Sequence, residues 1–196
     1  MSNPQGWLNI YKPKGLSSFS VVNKIKKHFN LNKIGHGGTL DPLAEGVLPI
    51  AIGKSTKLIP FINNDMKEYE FGIKWGEQTT TDDAEGDIIE RSGYIPSLNE
   101  INDTLKTFKG FFFQKPPKAS AIKINGVRAY KLLRQNKNFE VSEKKVFIYS
   151  SEIIDSTNPL ITKIRLKCGK GFYIRSFARD LAEILHTRGH IESLKR

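Results

Sequence analysis

The residue best placed to do chemistry is Asp41. It sits in the stretch Gly35-His36-Gly37-Gly38-Thr39-Leu40-Asp41-Pro42-Leu43-Ala44-Glu45-Gly46-Val47-Leu48-Pro49, flanked by four glycines and two prolines. Glycine lets backbone approach a ligand closely or take a positive φ. A following proline pushes Asp41 away from helical backbone toward extended or turn geometry. The result is an acid displayed on a stiff loop, a common setting for a catalytic group. An ordinary Asp-Pro turn would carry the same signature, so both readings stand at this point.

Other reactive groups are spread along the chain. Arg175 lies beside an apolar helical stripe near a helix start, and a buried arginine there calls for a carboxylate partner, with Asp41 one candidate. Tyr69 begins the apolar face of an alternating segment, as core or as an aromatic surface at a pocket edge. Asp82, Asp83 and Glu85 crowd one polar loop, but their spacing is not that of a calcium loop, and a structural turn is the better reading than a metal site. From Phe111 to Gln135, aromatics, prolines and basic residues mix around an Asn125-Gly126 turn. Arg128, Lys131, Arg134 and Tyr130 there are parts of an RNA contact, or of a basic surface hairpin with no ligand.

The elements that must position these groups can be read from periodicity. Gly6 to Tyr11 reads as a strand, and Val47 to Ile52 as a buried one. Ser17 or Ser18 caps a helix to about Phe29, with Phe19, Val22, Ile25 and Phe29 as its apolar stripe and its lysines on a solvated face. Lys67 to Trp75 alternates, placing Tyr69, Phe71, Ile73 and Trp75 on one face. Pro96 to about Phe108 is a helix with a capping box from Ser97 and Glu100. Val127 to about Gln135 reads as a short basic helix, and Val146 to Ile154 as a strand. Ile161 to Cys168 alternates with Ile164, Leu166 and Cys168 inward; its outward Lys163, Arg165 and Lys167 suit a phosphate backbone. A helix to about His186 follows, with Ile174, Phe177, Leu181 and Ile184 facing the core.

Composition narrows the class. The 196 residues suit one large domain, or one domain with a small appendage, and 31 Lys and Arg against 20 Asp and Glu leave a net charge of +11. That surplus favours a polyanionic partner, RNA or DNA before an anionic membrane. A single cysteine, Cys168, excludes an intrachain disulfide and a cysteine-based metal site, in keeping with a reducing cytoplasm. Met1 to Gly6 has no apolar signal core, and no apolar run reaches membrane-spanning length.

Five blocks in order resemble the bacterial tRNA pseudouridine-55 synthases, the TruB family: the Asp41 loop, Lys67-Glu68-Tyr69, Thr79 to Gly86, Lys115-Pro116-Pro117 through Tyr130, and Gly171-Phe172-Tyr173-Ile174-Arg175. The resemblance implies an α+β pseudouridine synthase fold, with a mixed, mainly antiparallel sheet flanked by helices and a central RNA-binding cleft. It implies one catalytic domain over 1–196 with a thumb-like RNA-clamping insertion at 124–142, and no C-terminal PUA-type domain before Arg196. By position, Asp41 is the catalytic carboxylate, Tyr69 stacks on the flipped base, and Arg175 pairs with Asp41. Tyr173 and Leu194 line the pocket, and His36 fills the gap left by the extruded nucleotide. Gly38 and Lys12 join the substrate-binding set. The resemblance further implies no metal or cofactor, a cytoplasmic monomer acting on the tRNA T-arm, and no membrane or obligatory protein partner. A tRNA-folding chaperone of the same fold, or a relative of the guide-RNA-dependent synthases, are the alternatives.

Overall fold

The computed structural model describes residues 4–62 and 66–196. Met1 to Asn3, part of the N-terminal stretch read above, lie outside the described residues. The chain divides into two compact units, Met1–Tyr69 with Leu194–Arg196, and Glu70–Ser193. Among the described residues, no helix is long and apolar enough to cross a membrane.

The first unit contains β1 (Gly6–Lys12), α1 (Ser18–His28), β2 (Ile34–His36), β3 (Gly46–Ile52), a 3-10 turn (Gly53–Leu58) and α2 (Ile59–Ile62). Its sheet has the order β1-β3-β2, antiparallel throughout, with Lys12 opposite Gly46 and His36 opposite Ile50. Leu48, Ile50 and Ala51 are fully buried on central β3. Ser17 is the helix cap, accepting from the Ser20 amide at 3.0 Å. The expected stripe on α1 is not the buried one. Phe19 and Phe29 are 70% and 62% exposed, and the buried residues are Ser18, Val21 and Val22. The helix is rotated by about one residue because the Ser18 hydroxyl has polar partners inside, described below.

The second unit holds most of β4 (Lys67–Trp75), then β5 (Glu77–Thr79), β6 (Ile88–Arg91), α3 (Leu98–Thr107), β7 (Gly110–Gln114), β8 (Lys123–Ile124), β9 (Val127–Arg128), α4 (Ala129–Arg134), β10 (Lys144–Asp155), β11 (Ile161–Cys168), α5 (Ile174–Ile184) and most of β12 (Gly189–Lys195). The main sheet has the order β12-β4-β11-β10-β7. Its β10–β11 and β10–β7 pairs are antiparallel, and a parallel bridge, Asp83 with Ile191, supplies a mixed element. The α+β class is as expected.

Alternation on β4 is realised, with Phe71, Ile73 and Trp75 buried and the Trp75 indole donating to Thr162 Oγ1 at 2.9 Å. Phe177 of α5 packs edge-on to Phe71 and Phe108. Both halves of the Ser97–Glu100 capping box are formed. Two expectations shift. Asn125 and Gly126 take φ of 48° and 81°, a tight hairpin turn that puts Val127 and Arg128 in β9, so the basic helix starts only at Ala129. Ile184 is exposed because α5 ends there; Leu185 is buried in its place and His186 turns the chain with φ 55°.

Candidate active site

In the first unit, both neighbours of Asp41 are held by polar contacts, and those to Leu40 are buried. Ser18 Oγ donates to the Leu40 carbonyl at 2.9 Å and accepts from the Leu40 amide at 2.8 Å. The Pro42 carbonyl accepts from the Gly15 amide at 2.8 Å and, more weakly, from Lys12 Nζ at 3.4 Å. The Asp41 carbonyl accepts from the Ala44 amide at 3.0 Å, closing a turn. The half-buried Asp41 side chain is thus carried between two pinned residues. Such support is what precise placement of a reacting group requires.

Lys12 departs from the expected substrate contact. It is fully buried, and its ammonium also donates to Leu16 O at 2.6 Å and Pro13 O at 3.0 Å. Three carbonyls hold the charge, and Lys12 serves the loop that carries Asp41.

His36, at the end of β2, is half-buried. Burial lowers its pKa, a Gly38 backbone contact offsets part of that, and the Arg196 charge adds to the lowering, so the ring is neutral at pH 7. Gly38 has φ 85°, and a Cβ there would stand 2.9 Å from the Arg196 guanidinium, which donates to the Gly38 carbonyl at 3.2 Å. Leu194 is buried and its carbonyl accepts from the Glu45 amide at 2.9 Å. Tyr69 is buried on β4.

In the second unit, Tyr173 caps α5 and is fixed through its backbone. Buried Gln114 accepts from the Tyr173 amide at 2.9 Å and donates to its carbonyl at 3.1 Å. Arg175 is buried. It donates to Thr81 O at 2.9 Å and Ala119 O at 3.1 Å, and its Nε lies 3.5 Å from Asp83 Oδ2. Asp83 Oδ1 accepts from Thr81 Oγ1 at 2.6 Å and the Glu85 amide at 3.1 Å. One turn along α5, Arg179 bonds Asp82 at 3.1 Å, Asp180 at 2.8 Å and the Lys115 carbonyl at 2.8 Å. Burial pushes the Asp82 carboxyl up, and the Arg179 and Arg175 charges pull it back. Burial opposes the Arg179 cation too, but Asp180 and Asp82 outweigh it and its pKa rises.

Sequence reasoning passed over Ser18, Gln114, Asp83 and Arg179 as positioning groups. The spacing of Arg175 and Arg179 at i and i+4, which puts both on one helix face, was the available signal for the last. The face of β11 read as a phosphate track is partly neutralised. Arg165 bonds Glu70 at 2.8 Å and Glu152 at 2.7 Å, and Lys163 bonds Asp155 at 2.8 Å.

Residues 26–174 match the family described as "TruB family pseudouridylate synthase (N terminal domain)". This chain belongs to the TruB family. It is 49% identical to the tRNA pseudouridine synthase B of Wolbachia pipientis subsp. Culex pipiens (strain wPip), over 97% of this chain and 54% of that protein. It is 47% identical to that of Ehrlichia ruminantium (strain Gardel), over 97% and 65%. The chain therefore spans between half and two thirds of the length of these curated relatives. Among solved structures it resembles a chain of "Crystal Structure of a Cbf5-Nop10-Gar1 Complex" at TM-score 0.74 and 29% identity, covering 97% of this chain and 47% of that one. A chain of "Structure of H/ACA RNP bound to a substrate RNA containing 2'-deoxyuridine" follows at TM-score 0.71 and 26% identity, covering 97% and 46%. The TruB match and the α+β architecture confirm the family and fold class expected from the five motif blocks.

Proposed function

We propose that this TruB-family chain converts uridine-55 to pseudouridine in the T-loop of tRNA, acting in the cytoplasm as a monomer without metal or cofactor. The observation that carries the reading is the Asp41 carboxylate held between pinned Leu40 and Pro42. The names of the Wolbachia and Ehrlichia relatives supply the substrate class.

The reaction breaks the N1–C1′ bond, rotates the freed uracil, and joins C5 to C1′. The C5 proton leaves and N1 gains one, so the product is an isomer. Asp41 serves as nucleophile at the sugar or as base upon it. Extrusion of the nucleotide is needed because these atoms are unreachable in a stack. In this reading Tyr69 stacks on the flipped base and assists proton transfer, Arg175 pairs with Asp41, and Tyr173 and Leu194 line the pocket. Neutral His36 fills the vacated place in the RNA loop, Gly38 allows close backbone approach, Lys12 supports the loop, and 124–142 clamps the T-arm.

The test is conversion of an unmodified T-arm stem-loop by wild type and Asp41→Asn. The variant is expected to bind the RNA and make no product. Turnover by Asp41→Asn would remove Asp41 from its role. Binding without conversion by either protein would favour the chaperone reading. The alternative of a guide-RNA-dependent synthase has the weaker support, since the relatives at 49% and 47% identity are named tRNA pseudouridine synthase B.

A further inference from the structure

The second unit carries an aromatic surface with no part in the reaction proposed above. On β7, Phe112 turns inward against Phe108 and Phe172, which sends its neighbours Phe111 and Phe113 outward, 68% and 66% exposed. Among the described residues β7 is an edge strand, paired only with β10 in the main sheet. In register, Phe111 lies opposite Phe147 and Phe113 opposite Lys145. The rings form a continuous ladder across the two strands. Phe111 meets Phe147 with centroids 4.6 Å apart, and Phe147 meets Tyr149 at 4.7 Å, both edge to face. Tyr149 is 48% exposed. Lys145 Nζ stands 4.6 Å from the centre of the Phe111 ring.

Leaving several large rings in water forgoes about 1.5–3 kcal/mol each, so a contiguous face of this kind marks an interaction site. Its charge indicates the partner. The segments 109–114 and 144–149, which build this end of the sheet, contain Lys109, Lys144 and Lys145 and no Asp or Glu. Three of the sheet's carboxylates, Glu70, Glu152 and Asp155, are engaged by Arg165 and Lys163 on β11. Stacking surfaces bordered by cations fit a polyanion with planar bases. A second copy of this chain, itself at +11, is a poor match.

We propose that the outer face of β7 and β10 is a second RNA contact, stacking the bases of a single-stranded stretch on Phe111, Phe113 and Tyr149, with Lys145 at the backbone. The inference rests on the reading that this chain acts on RNA, and it adds a surface separate from the residues assigned to the reaction.

The test compares wild type with Phe111→Thr/Phe113→Thr and the ring-retaining Phe111→Tyr/Phe113→Tyr. Three measurements are made: affinity for a fluorescein-labelled single-stranded oligouridylate, conversion of the T-arm stem-loop, and mass in solution. The threonine variant should lose about tenfold or more in oligouridylate affinity, since stacking contributes about 1–3 kcal/mol per base. The tyrosine variant should keep it, and all three proteins should convert the stem-loop equally. Equal oligouridylate affinity in wild type and threonine variant overturns the proposal. If that result comes with a wild-type dimer that the threonine variant does not form, the face is a self-association surface. Oligouridylate binding that depends on the rings, in a protein that converts no stem-loop, leaves this surface standing and refutes the proposed reaction alone.

Discussion

Ser18→Ala is the substitution that most directly tests how the fold holds Asp41. The hydroxyl makes two hydrogen bonds to one residue, at 2.9 Å to the Leu40 carbonyl and 2.8 Å from its amide. Ser18 and Leu40 are each 2% exposed, so water cannot take over either bond. Two net bonds at about 1 kcal/mol, with further penalty for stranding a buried N–H and C=O, give a loss of about 2–4 kcal/mol. A domain with about 5–15 kcal/mol of stability survives that, so the variant remains folded and its chemistry can be measured. The freed loop shifts the residue before Asp41, and misplacing a reacting group by about 1 Å reduces rate by about a hundredfold. Stability is read from urea unfolding. Rate is read from single-turnover release of tritium from C5-labelled uridine, because C5 loses its hydrogen in the proposed isomerisation. Ser17→Ala is the control. It removes the helix cap, costs about 1 kcal/mol, and leaves the rate unchanged. A Ser18→Ala protein within about 0.5 kcal/mol of wild type and equally fast would refute the claim that this hydroxyl positions the acid.

Three further outcomes follow from the structure. Arg179→Met should destabilise by about 3 kcal/mol in thermal unfolding, because it strands buried Asp82, and adding Asp82→Asn should recover much of the loss. Gly46→Ala should cost about 2–4 kcal/mol and speed amide exchange at Val47 and Arg196, since φ is 118° and the new Cβ would overlap the Arg196 carbonyl that accepts from Val47. Glu100 is held well below the ordinary carboxylate range, to about 2, by the Ser97 side chain first and then by Tyr94 and the Ser97 backbone. Its folded pKa is depressed, so its stabilisation is complete above the ordinary 4.5 and is lost as pH falls toward 2; Glu100→Gln should flatten that acid limb of the stability curve.

Strand faces were legible in the sequence because a period of two allows only two choices and buried apolar residues decide between them. Tyr69, Phe71, Ile73 and Trp75 all turned inward as read. The capping box of α3 was legible for a related reason, since both partners lie within four residues and share one local geometry. Helix α1 was harder. Phe19, Val22, Ile25 and Phe29 make one stripe, Ser18, Val21 and Val22 another, and helical spacing permits both. The choice fell to a serine whose partner, Leu40, is 22 residues away. The other positioning contacts reach further still: Gln114 to Tyr173 spans 59 residues, and Arg175 to the Thr81 carbonyl spans 94. Several of these contacts involve backbone groups, which every residue carries and no pattern of residue types reveals.

The same limit governs charge. A surplus of +11 and three outward cations on β11 pointed to that strand as a phosphate track, but Lys163 and Arg165 are tied to Asp155, Glu70 and Glu152. A cation held by a nearby carboxylate presents much less field to an approaching polyanion than its formal charge suggests. A polyanion is drawn to positive charge that a fold leaves without acids beside it. Counting by sign along one strand cannot find it, because the neutralising partners arrive from β4 and β10 once the sheet has formed. Counting after the sheet is assembled moves attention to the lysine-bordered rings of β7 and β10, where the local segments contain no acid at all. The net charge indicates a class of partner, and the strand pairing locates the surface proposed for it on the second unit.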